Sequence, residues 1–416
     1  MPDDKAVHIE EKRFPGARIS SFAELRERFG TQPLPVTTIS DPSLFELEKQ
    51  KVFRKTWLKV ATVGEIPAPG DCKVKDLHVL NTSLIIAHGK DGKIRAFHNV
   101  CTHRGNLIVP TTENETYVHA RGNALMCRFH GWVFSTSGNV RGIPKKEMFA
   151  SLDPACAKLR EVACDVWENF VFINMDPTPS QSLVEYMGGL NAVFGGYPFG
   201  ESTQAQRYNT VLNCNWKVAM HAFSEGYHVP TIHAGSLPGF RGADHADFKV
   251  MSPHASSTIF GGGMDAMAAT TVFGQYLHRS ENQRPRPDQL PKTINPSGRT
   301  DFQFELPNVF PNLIIHLAAG CGYPGITYFT HQFWPMAHDR TLWEGTTYFR
   351  PATTAADRAA QLHISALHRN AWLEDTATME NTFKGVMSGA ITAMPLMDQE
   401  FLIRHFTHTL EHYLTA

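Results

Sequence analysis

Two pairs of cysteine and histidine constrain this chain more than any other feature. Cys101 and His103 are separated by one residue, and Cys127 and His130 by two. A thiolate and an imidazole this close in sequence can reach one metal centre if each pair lies on a tight loop. Two such loops need a rigid β-framework behind them. The pattern favours a two-iron cluster in which the cysteines hold one iron and the histidines the other.

A structural zinc site is the alternative, because two cysteines and two histidines can also hold zinc tetrahedrally. Zinc fingers normally place both cysteines in one pair and both histidines in the other. Here each pair is mixed, and the first has a single intervening residue. The order of the ligands therefore favours the cluster over zinc.

The bulk composition is that of an ordinary globular protein long enough for two domains. The 416 residues are 42% hydrophobic and 19% charged, with a formal net charge of −1, so there is no basic excess to bind a phosphate backbone. Nucleic acid is not expected as a partner. The odd number of cysteines, 7, indicates thiols or metal ligands rather than a disulfide framework.

No targeting or membrane segment is expected. Residues 1–16 are rich in charged side chains and lack the apolar region of a signal peptide. The most apolar stretch, residues 309–326, is interrupted by Pro311, His316 and Pro324, which is not the pattern of a membrane span. We expect a cytoplasmic protein.

The pattern along the chain changes several times. Residues 1 to about 40 read as a polar arm, and a helix is expected from Asp41-Pro42-Ser43 to about Thr56. Short β-like runs follow up to residue 176, the clearest of them at 57–63, 79–88, 96–100 and 170–175. Beyond this we expect a helix at 215–227, strands between 258 and 348, helices from 354 to the C-terminus, and an exposed loop or lid at 279–299.

A second group of candidate ligands lies at the end of the expected helix at 215–227 and just beyond it. Glu225 and His228 are three residues apart, and Pro230 could turn the chain so that His233 returns to the same centre. Two histidines and one carboxylate on one side of the metal form the usual site of a non-haem Fe(II) oxygenase. His363 and His368 have the same five-residue interval, and we interpret them as helix surface.

Both groups resemble those of Rieske non-haem iron oxygenases. The resemblance rests on Cys-x-His and Cys-x-x-His with the Arg-Gly and Gly-Trp that follow them, and on Asn215-Trp216-Lys217 with Tyr227-His228. It implies that Cys101, His103, Cys127 and His130 hold a [2Fe–2S] cluster. It also implies that His228 and His233 bind a mononuclear Fe(II).

The third iron ligand implied by the resemblance is a carboxylate far along the chain. The family pattern matches residues 372–380 and indicates Asp375. Glu374 and Glu380 compete with it, and an acidic helix face is the alternative interpretation of this stretch.

Glu225 stands where the family commonly has an aspartate. The resemblance implies that Glu225 accepts hydrogen bonds from His228 and, across a subunit boundary, from the partner subunit's His130. His221 is expected on the same helical face, where it could position substrate or water or be a core histidine with both nitrogens satisfied.

Two departures from the family concern the cluster loops. The 23 residues between His103 and Cys127 exceed the usual gap, and an inserted hairpin at 111–121 could absorb them. Arg128-Phe129 replaces the more common Pro-Tyr, which leaves the reduction potential open.

The resemblance implies an α+β fold with a small antiparallel β Rieske domain and a larger helix-grip-like catalytic domain, in which helices flank an antiparallel sheet. We expect an N-terminal arm and helix at 1–54, the Rieske domain at 55–176 and the catalytic domain at 177–416.

The implied activity is that of the catalytic (alpha) subunit of an aromatic-ring-hydroxylating oxygenase. It would use O2 and electrons from NAD(P)H, delivered through a ferredoxin or flavin reductase, to hydroxylate or cis-dihydroxylate an apolar or aromatic small molecule. Oxidative N- or O-dealkylation is the alternative outcome. The family also implies a head-to-tail homotrimer, with or without a β subunit.

Overall fold

The computed structural model of the protein describes residues 18–111, 115–153, 156–236, 245–260, 293–294, 299, 301–318 and 327–415. The N-terminal segment up to residue 17 lies outside the described residues. So do residues 319–326 of the apolar stretch and, apart from residues 293, 294 and 299, the expected loop or lid at 279–299.

The described residues fall into two compact units. One is Lys49–Glu185, and the other combines the residues up to Glu48 with those from Tyr186 onward. The strands are, in chain order, β1 Ile19–Ser20, β2 Leu34–Pro35, β3 Leu58–Thr62, β4 Asp71–Leu77, β5 Thr82–His88, β6 Ile94–His98, β7 Glu115–His119, β8 Ala124–Met126, β9 Val133–Ser135, β10 Val140–Gly142, β11 Glu161–Trp167, β12 Phe170–Asn174, β13 Gln204–Leu212, β14 His245–Met251, β15 His254–Phe260, β16 Phe302–Val309, β17 Leu313–Ala318, β18 Thr327–Ala337, β19 Arg340–Phe349 and β20 Ala393–Met394. The α-helices are α1 Phe22–Phe29, α2 Thr37–Ser40, α3 Ser43–Leu47, α4 Leu183–Met187, α5 Leu190–Phe194, α6 Trp216–Ala222, α7 Val229–Ile232, α8 Ala355–Met387 and α9 Phe401–Thr415.

The smaller unit is built from two antiparallel sheets. Seven strands lie in the order β3-β12-β11-β6-β5-β4-β7, and three more in the order β10-β9-β8. A buried core that includes Val74, Phe97, Trp132 and Phe134 packs against both candidate cysteines. The predicted β-framework is thus present, and the expected strands at 57–63 and 170–175 are confirmed as β3 and β12.

The lengthened segment between the two Cys-His pairs adds a strand to the edge of the larger of these sheets. Residues 112–114 lie outside the described residues, but β7 pairs with β4 in antiparallel register, with Lys73 opposite Tyr117. The expected hairpin at 111–121 is therefore wrong for its described part. The strand β7 pairs with β4, and not with a second strand from the same segment.

The larger unit is organised around one antiparallel sheet of eight strands in the order β1-β14-β15-β16-β17-β18-β19-β13. The 33-residue helix α8 begins with a capping box, in which the Thr354 hydroxyl accepts from the Asp357 backbone N–H and the Asp357 carboxylate accepts from the Thr354 backbone N–H. Gly345 on β19 leaves room for the helix, since a Cβ there would lie 2.6 Å from the Trp372 ring. Among the described residues no helix is long and apolar enough to cross a membrane.

The helical predictions need two adjustments. The segment after Asp41 is helical as expected, with the Ser43 N–H bonded to the Asp41 carboxylate, but it continues as a π-helix over Glu48–Phe53. The expectation of an arm up to residue 40 is wrong for residues 22–29, which form α1 behind a Ser21/Glu24 capping box.

Candidate metal centres

The four residues of the cluster group lie on two short loops of the smaller unit. Each loop is closed by two backbone hydrogen bonds: Cys101 N–H to Asn106 C=O with Gly105 N–H to Cys101 C=O, and Cys127 N–H to Trp132 C=O with Gly131 N–H to Cys127 C=O. The cysteines are buried, with exposed fractions of 2% and 1%. His103 is half-buried and His130 is exposed. A group held here would have its sulfur ligands inside and its imidazole ligands toward the surface.

Both sulfurs accept hydrogen bonds from backbone N–H groups of their own loops, which for Cys101 are those of His103 and Arg104, and Cys127 also accepts from the other loop. The backbone N–H groups of Phe129 and His130 point at Cys127, and the Asn106 Nδ2 lies 3.7 Å from its Sγ. Burial alone would raise the pKa of the Cys127 thiol, but these donors and a hydrogen bond from the Cys101 thiol hold the pKa below its ordinary value, whereas burial raises the pKa of Cys101. Thiolate ligands surrounded by N–H donors suit an iron–sulfur cluster, whose potential depends on such bonds.

The imidazoles have free ligand atoms. The Nδ1 of His103 is buried and has no hydrogen-bond partner among the described residues. Its ring stacks on Trp132, with centroids 5.0 Å apart, and lies 4.7 Å from the ring of His130. A buried nitrogen without a partner is costly, and a metal bond would satisfy it.

The geometry also bears on the zinc alternative. Among the described residues, a single group has three or more His, Cys, Asp or Glu ligand atoms within 4.8 Å of one another. The two Cys-His pairs do not belong to that group. A tetrahedral zinc ion would bring its ligand atoms to about 4 Å or less. The wider spacing fits a two-iron cluster better.

In the larger unit, helix α6 is anchored at its start by buried polar contacts. Asn215 caps the helix by accepting from the Lys217 N–H. The Trp216 Nε1–H donates to Glu48 at 2.7 Å, and the Lys217 ammonium pairs with the same carboxylate. Glu48 and Lys217 are both almost completely buried, so the pair fixes the helix that leads into the second group of ligands.

The helix expected at 215–227 ends earlier than predicted. It stops at Ala222, and Glu225 and His228 lie in the turn that joins α6 to α7. The reason is local: the Ser224 hydroxyl bonds back to Met220 C=O, and the Glu225 carboxylate accepts from the backbone N–H groups of Tyr227 and His228. Their proximity thus comes from a turn rather than from a shared helical face. The expectation that Pro230 turns the chain is also wrong, because Pro230 lies at the start of helix α7.

Three side chains converge on a single point in this unit. His228 and His233 present their Nε2 atoms 3.7 Å and 3.2 Å from the Asp375 Oδ1, and these atoms form the one group within 4.8 Å among the described residues. Asp375 and His233 are both only 4% exposed. Two imidazole nitrogens and one carboxylate oxygen form the donor set of a non-haem Fe(II) site.

Each of the two histidines is oriented by a separate carboxylate. The His228 Nδ1 contacts Glu225, and the His233 Nδ1 lies 2.8 Å from Glu374, which also accepts from Ser236 Oγ at 2.6 Å. A carboxylate can only accept here, so each Nδ1 carries the proton and each Nε2 keeps its lone pair for a metal. Although burial lowers the pKa of His233, Asp375 and Glu374 raise it above its ordinary value overall.

The two competing carboxylates are engaged elsewhere. Glu374 holds His233 from the Nδ1 side, and Glu380 accepts from the backbone and side chain of Asn213 at 2.8 and 3.1 Å. Asp375 is the carboxylate of this helix segment that faces both Nε2 atoms. The sequence pattern could not reveal the contact of Glu374, because His233 and Ser236 are about 140 residues away.

A cavity of about 300 Å³ lies beside the three convergent side chains. It is lined by His221, Glu225, His228, Asp375 and Glu400, together with apolar residues such as Val218, Ile232 and Met379. The Nε2 of His221 is buried without a partner among the described residues. Burial and the Lys217 ammonium lower the pKa of His221 to about 3, so the ring is neutral. Burial and the nearby Glu225 raise the pKa of Glu400.

The interpretation of His363 and His368 as helix surface is wrong for His368. It is 4% exposed and its Nδ1 lies 3.0 Å from Thr347 Oγ1 on β19. His368 belongs to a group of buried histidines and aromatic rings between α8 and the sheet that the sequence did not single out. The signal that could have found it is the three- and four-residue spacing of His368, Trp372 and Asp375 along one helix face.

Comparisons with known proteins match both parts of the chain. Residues 56–153 match the Rieske [2Fe–2S] domain, and residues 199–416, half of the chain, match the catalytic domain of the ring-hydroxylating alpha subunit. The carnitine monooxygenase oxygenase subunit of Escherichia coli K12 is 31% identical over 242 residues, which are 56% of this chain and 61% of that protein. The large oxygenase component of the naphthalene 1,2-dioxygenase system of Pseudomonas aeruginosa is 34% identical over 208 residues, 47% of this chain and 43% of that protein. The match thus spans under two thirds of either relative.

The fold is shared with solved structures over nearly the whole chain. A quaternary ammonium Rieske monooxygenase superposes with a TM-score of 0.72 at 21% identity, covering 92% of this chain and 95% of that one. Naphthalene 1,2-dioxygenase with indole bound gives a TM-score of 0.70 at 18% identity, covering 93% of each chain. The predicted α+β fold is confirmed. The chain therefore belongs to the ring-hydroxylating alpha subunit family, with a Rieske [2Fe–2S] domain and a catalytic domain of the mononuclear iron oxygenases.

Proposed function

We propose that this chain is the terminal oxygenase component of a multi-component enzyme that hydroxylates an apolar or aromatic small molecule. The observation that carries the proposal is the convergence of His228 Nε2, His233 Nε2 and Asp375 Oδ1 beside a cavity of about 300 Å³. Three ligands on one side of a metal leave the remaining positions open for oxygen and substrate. Family membership supports the same conclusion.

The residues proposed for the two metal groups fit them. Cys101, His103, Cys127 and His130 would hold the [2Fe–2S] cluster, and His228, His233 and Asp375 the iron. When bound, the cluster would pass on single electrons and the iron would activate O2. Glu225 and Glu374 hold the two iron histidines in the tautomer that frees Nε2. His221, neutral and facing the cavity, would donate or accept a hydrogen bond toward substrate or water.

The partners of the chain follow from this role. A terminal oxygenase needs electrons, which a flavin reductase or ferredoxin would supply from NAD(P)H. We propose a head-to-tail homotrimer, with or without a β subunit, in which Glu225 also accepts from the partner subunit's His130. We also propose domain limits of 1–54, 55–176 and 177–416 and a cytoplasmic location.

A second outcome of the same chemistry is insertion of one oxygen atom, including oxidative N- or O-dealkylation. The relatives named as carnitine monooxygenase subunits support keeping it beside ring dihydroxylation. Product analysis distinguishes the two, since dihydroxylation adds two hydroxyl groups and dealkylation releases an aldehyde or ketone.

The test is oxygen uptake by the full chain with a matched reductase, NADH and a series of aromatic and alkylated compounds. We expect substrate-dependent uptake and an oxygenated product. Asp375→Ala should abolish both the uptake and the product, because the substitution removes a ligand of the mononuclear iron. The visible absorption of the cluster should remain, since the cluster residues lie in the smaller unit and Asp375 in the larger one. Oxygenation that survives in Asp375→Ala would contradict the proposed function.

A further inference from the structure

A group of buried rings lies where α8 packs on the eight-stranded sheet. His316 stacks on Phe329 with centroids 4.4 Å apart, and His331 lies 4.7 Å from Trp372. His331 and Gly345 are paired across β18 and β19, so the missing side chain at Gly345 makes room for the indole ring. We call the following residues the histidine–aromatic box: Phe223, His316, Phe329, His331, Trp343, His368 and Trp372.

The hydrogen bonds of His331 determine its tautomer. The Trp343 Nε1–H can only donate, and it lies 3.1 Å from the His331 Nδ1. Nδ1 is therefore an acceptor, and the neutral ring must carry its proton on Nε2. The ring is neutral because burial and the neighbouring His316 and His368 lower its pKa well below 6.5. His331 is 0% exposed, and its Nε2–H is a donor with no acceptor among the described residues.

A core histidine of the same unit can have both nitrogens satisfied, although the Nε2 atoms of His221 and His405 also lack a described partner. His254 donates from Nε2 to Tyr186 C=O at 2.8 Å and accepts at Nδ1 from the Phe310 N–H at 3.0 Å. In the box, by contrast, the Nε2 atoms of both His316 and His331 are buried without a described partner, although their ring centroids lie only 5.0 Å apart. An acceptor on a molecule bound at this place would satisfy such nitrogens.

The box adjoins the proposed iron site along the chain in two places. Trp372 and Asp375 are three residues apart in α8 and both are buried, so they share a helix face and are separated by about 5 Å along its axis. Phe223 directly follows Ala222, which lines the cavity together with His228 and Asp375. The box is thus one residue along the chain from the lining of the cavity and about one helix turn from Asp375, although its own residues do not line that cavity.

We propose that His331, assisted by His316, donates a hydrogen bond to a neutral acceptor oxygen of the substrate, such as a carbonyl, ether or hydroxyl oxygen on a flat apolar ring. This inference rests on the proposed function and specifies its substrate class. None of the seven box residues is charged when its histidines are neutral, so a buried carboxylate would have no cation to pair with. A quaternary ammonium group could contact the ring faces of the box, but it has no acceptor for the His331 Nε2–H, which would stay unsatisfied beside it.

Binding of matched probes to the iron-loaded full chain, measured by calorimetry without electron donors, tests the proposal. 1-Indanone and indane share a frame and differ by a carbonyl. His331→Asn keeps an acceptor for Trp343 but removes the Nε2 donor, whereas His331→Gln can return an amide donor to that position. We expect the preference for 1-indanone over indane, measured as the ratio of their dissociation constants, to fall about tenfold in His331→Asn. The preference should be largely restored in His331→Gln. The matched control His363→Asn, outside the box on α8, should leave the ratio unchanged.

The proposal fails if His331→Asn leaves the ratio unchanged, if 1-indanone does not bind, or if phenyltrimethylammonium binds more tightly than 1-indanone. Iron content and cluster absorbance of each variant show that it has folded and loaded. Because no turnover is measured, these results are independent of the oxygenase assay. An active oxygenase that does not prefer 1-indanone would overturn the role of His331 and leave the proposed function standing.

Discussion

At the scale of single residues, the adjacent carboxylates Glu374 and Asp375 show what sequence can and cannot tell. A family pattern was enough to indicate Asp375, and in the structure its carboxylate faces the Nε2 atoms of His228 and His233. Consecutive residues of a helix point about 100° apart, so Glu374 cannot share that direction and instead reaches His233 from behind. The role of Glu374 depends on residues distant in the chain, which is why spacing left it as a competing ligand.

Replacing Glu374 by Gln should weaken the iron site without touching the cluster. A glutamine amide can present its NH2 group toward Nδ1, which no longer enforces the tautomer that frees the His233 Nε2. We expect the iron affinity of the mononuclear site to fall about 10- to 100-fold, measured by chelator competition, with unchanged cluster absorbance. Glu380→Gln on the same helix, where Glu380 accepts hydrogen bonds from Asn213, is the control and should keep its iron. Equal affinity in Glu374→Gln and wild type would refute the orienting role.

At the scale of elements, the strands were easier to predict than the turn at the active site. Continuous apolar runs identified β3 and β12 almost to the residue, because every residue of these two strands is buried. The end of α6 was missed, since Ser224 and Glu225 stop the helix by bonding to backbone groups. Helix α1 carries a readable signal in Ser21 and Glu24, a capping box that the polar composition of the segment obscured.

The fit of α8 on the sheet depends on Gly345. A Cβ at this position would lie 2.6 and 2.8 Å from two atoms of the Trp372 ring, so Gly345→Ala must push the helix turn that precedes Asp375 away from β19. We expect a loss of about 1–3 kcal/mol in the free energy of unfolding, together with lower iron content. Gly385→Ala in the same helix meets nothing within 4 Å and should be neutral or stabilising. If Gly345→Ala unfolds at the same denaturant concentration as wild type, the close packing of Trp372 on Gly345 does not contribute to the free energy of unfolding.

At the scale of the whole molecule, the two-unit organisation could be foreseen because each metal-binding pattern lies in a segment of distinct secondary structure. The lowered pKa values of six histidines could not be foreseen. Single histidines carry no orientation in a sequence, and only the packed sheet and helices show which are inside. Burial lowers the pKa of His221, His254, His316 and His405 to about 3, that of His368 to about 4, and that of His331 well below its ordinary value.

These histidines predict a loss of stability in mild acid. In the unfolded chain they titrate near 6.5, so below this pH the unfolded state binds more protons than the folded state and stability falls as pH falls. The contribution is complete above about pH 7 and is lost progressively toward pH 3–4, by roughly 1 kcal/mol for each such histidine one unit below 6.5. Tm recorded at pH 7.5, 6.5 and 5.5 should drop at each step. Cluster absorbance in the same samples distinguishes unfolding from metal loss, and a flat Tm would contradict the buried neutral state.

The central claim is that one chain holds both a two-iron cluster and a separate mononuclear iron. Iron and acid-labile sulfide per chain, determined on anaerobically reconstituted protein alongside its visible spectrum, test it most directly. The ligand sets described above predict three irons and two sulfides, with the cluster's colour. Two irons with two sulfides would leave an electron carrier without an oxygen-activating site, and a colourless protein containing zinc would contradict the account altogether.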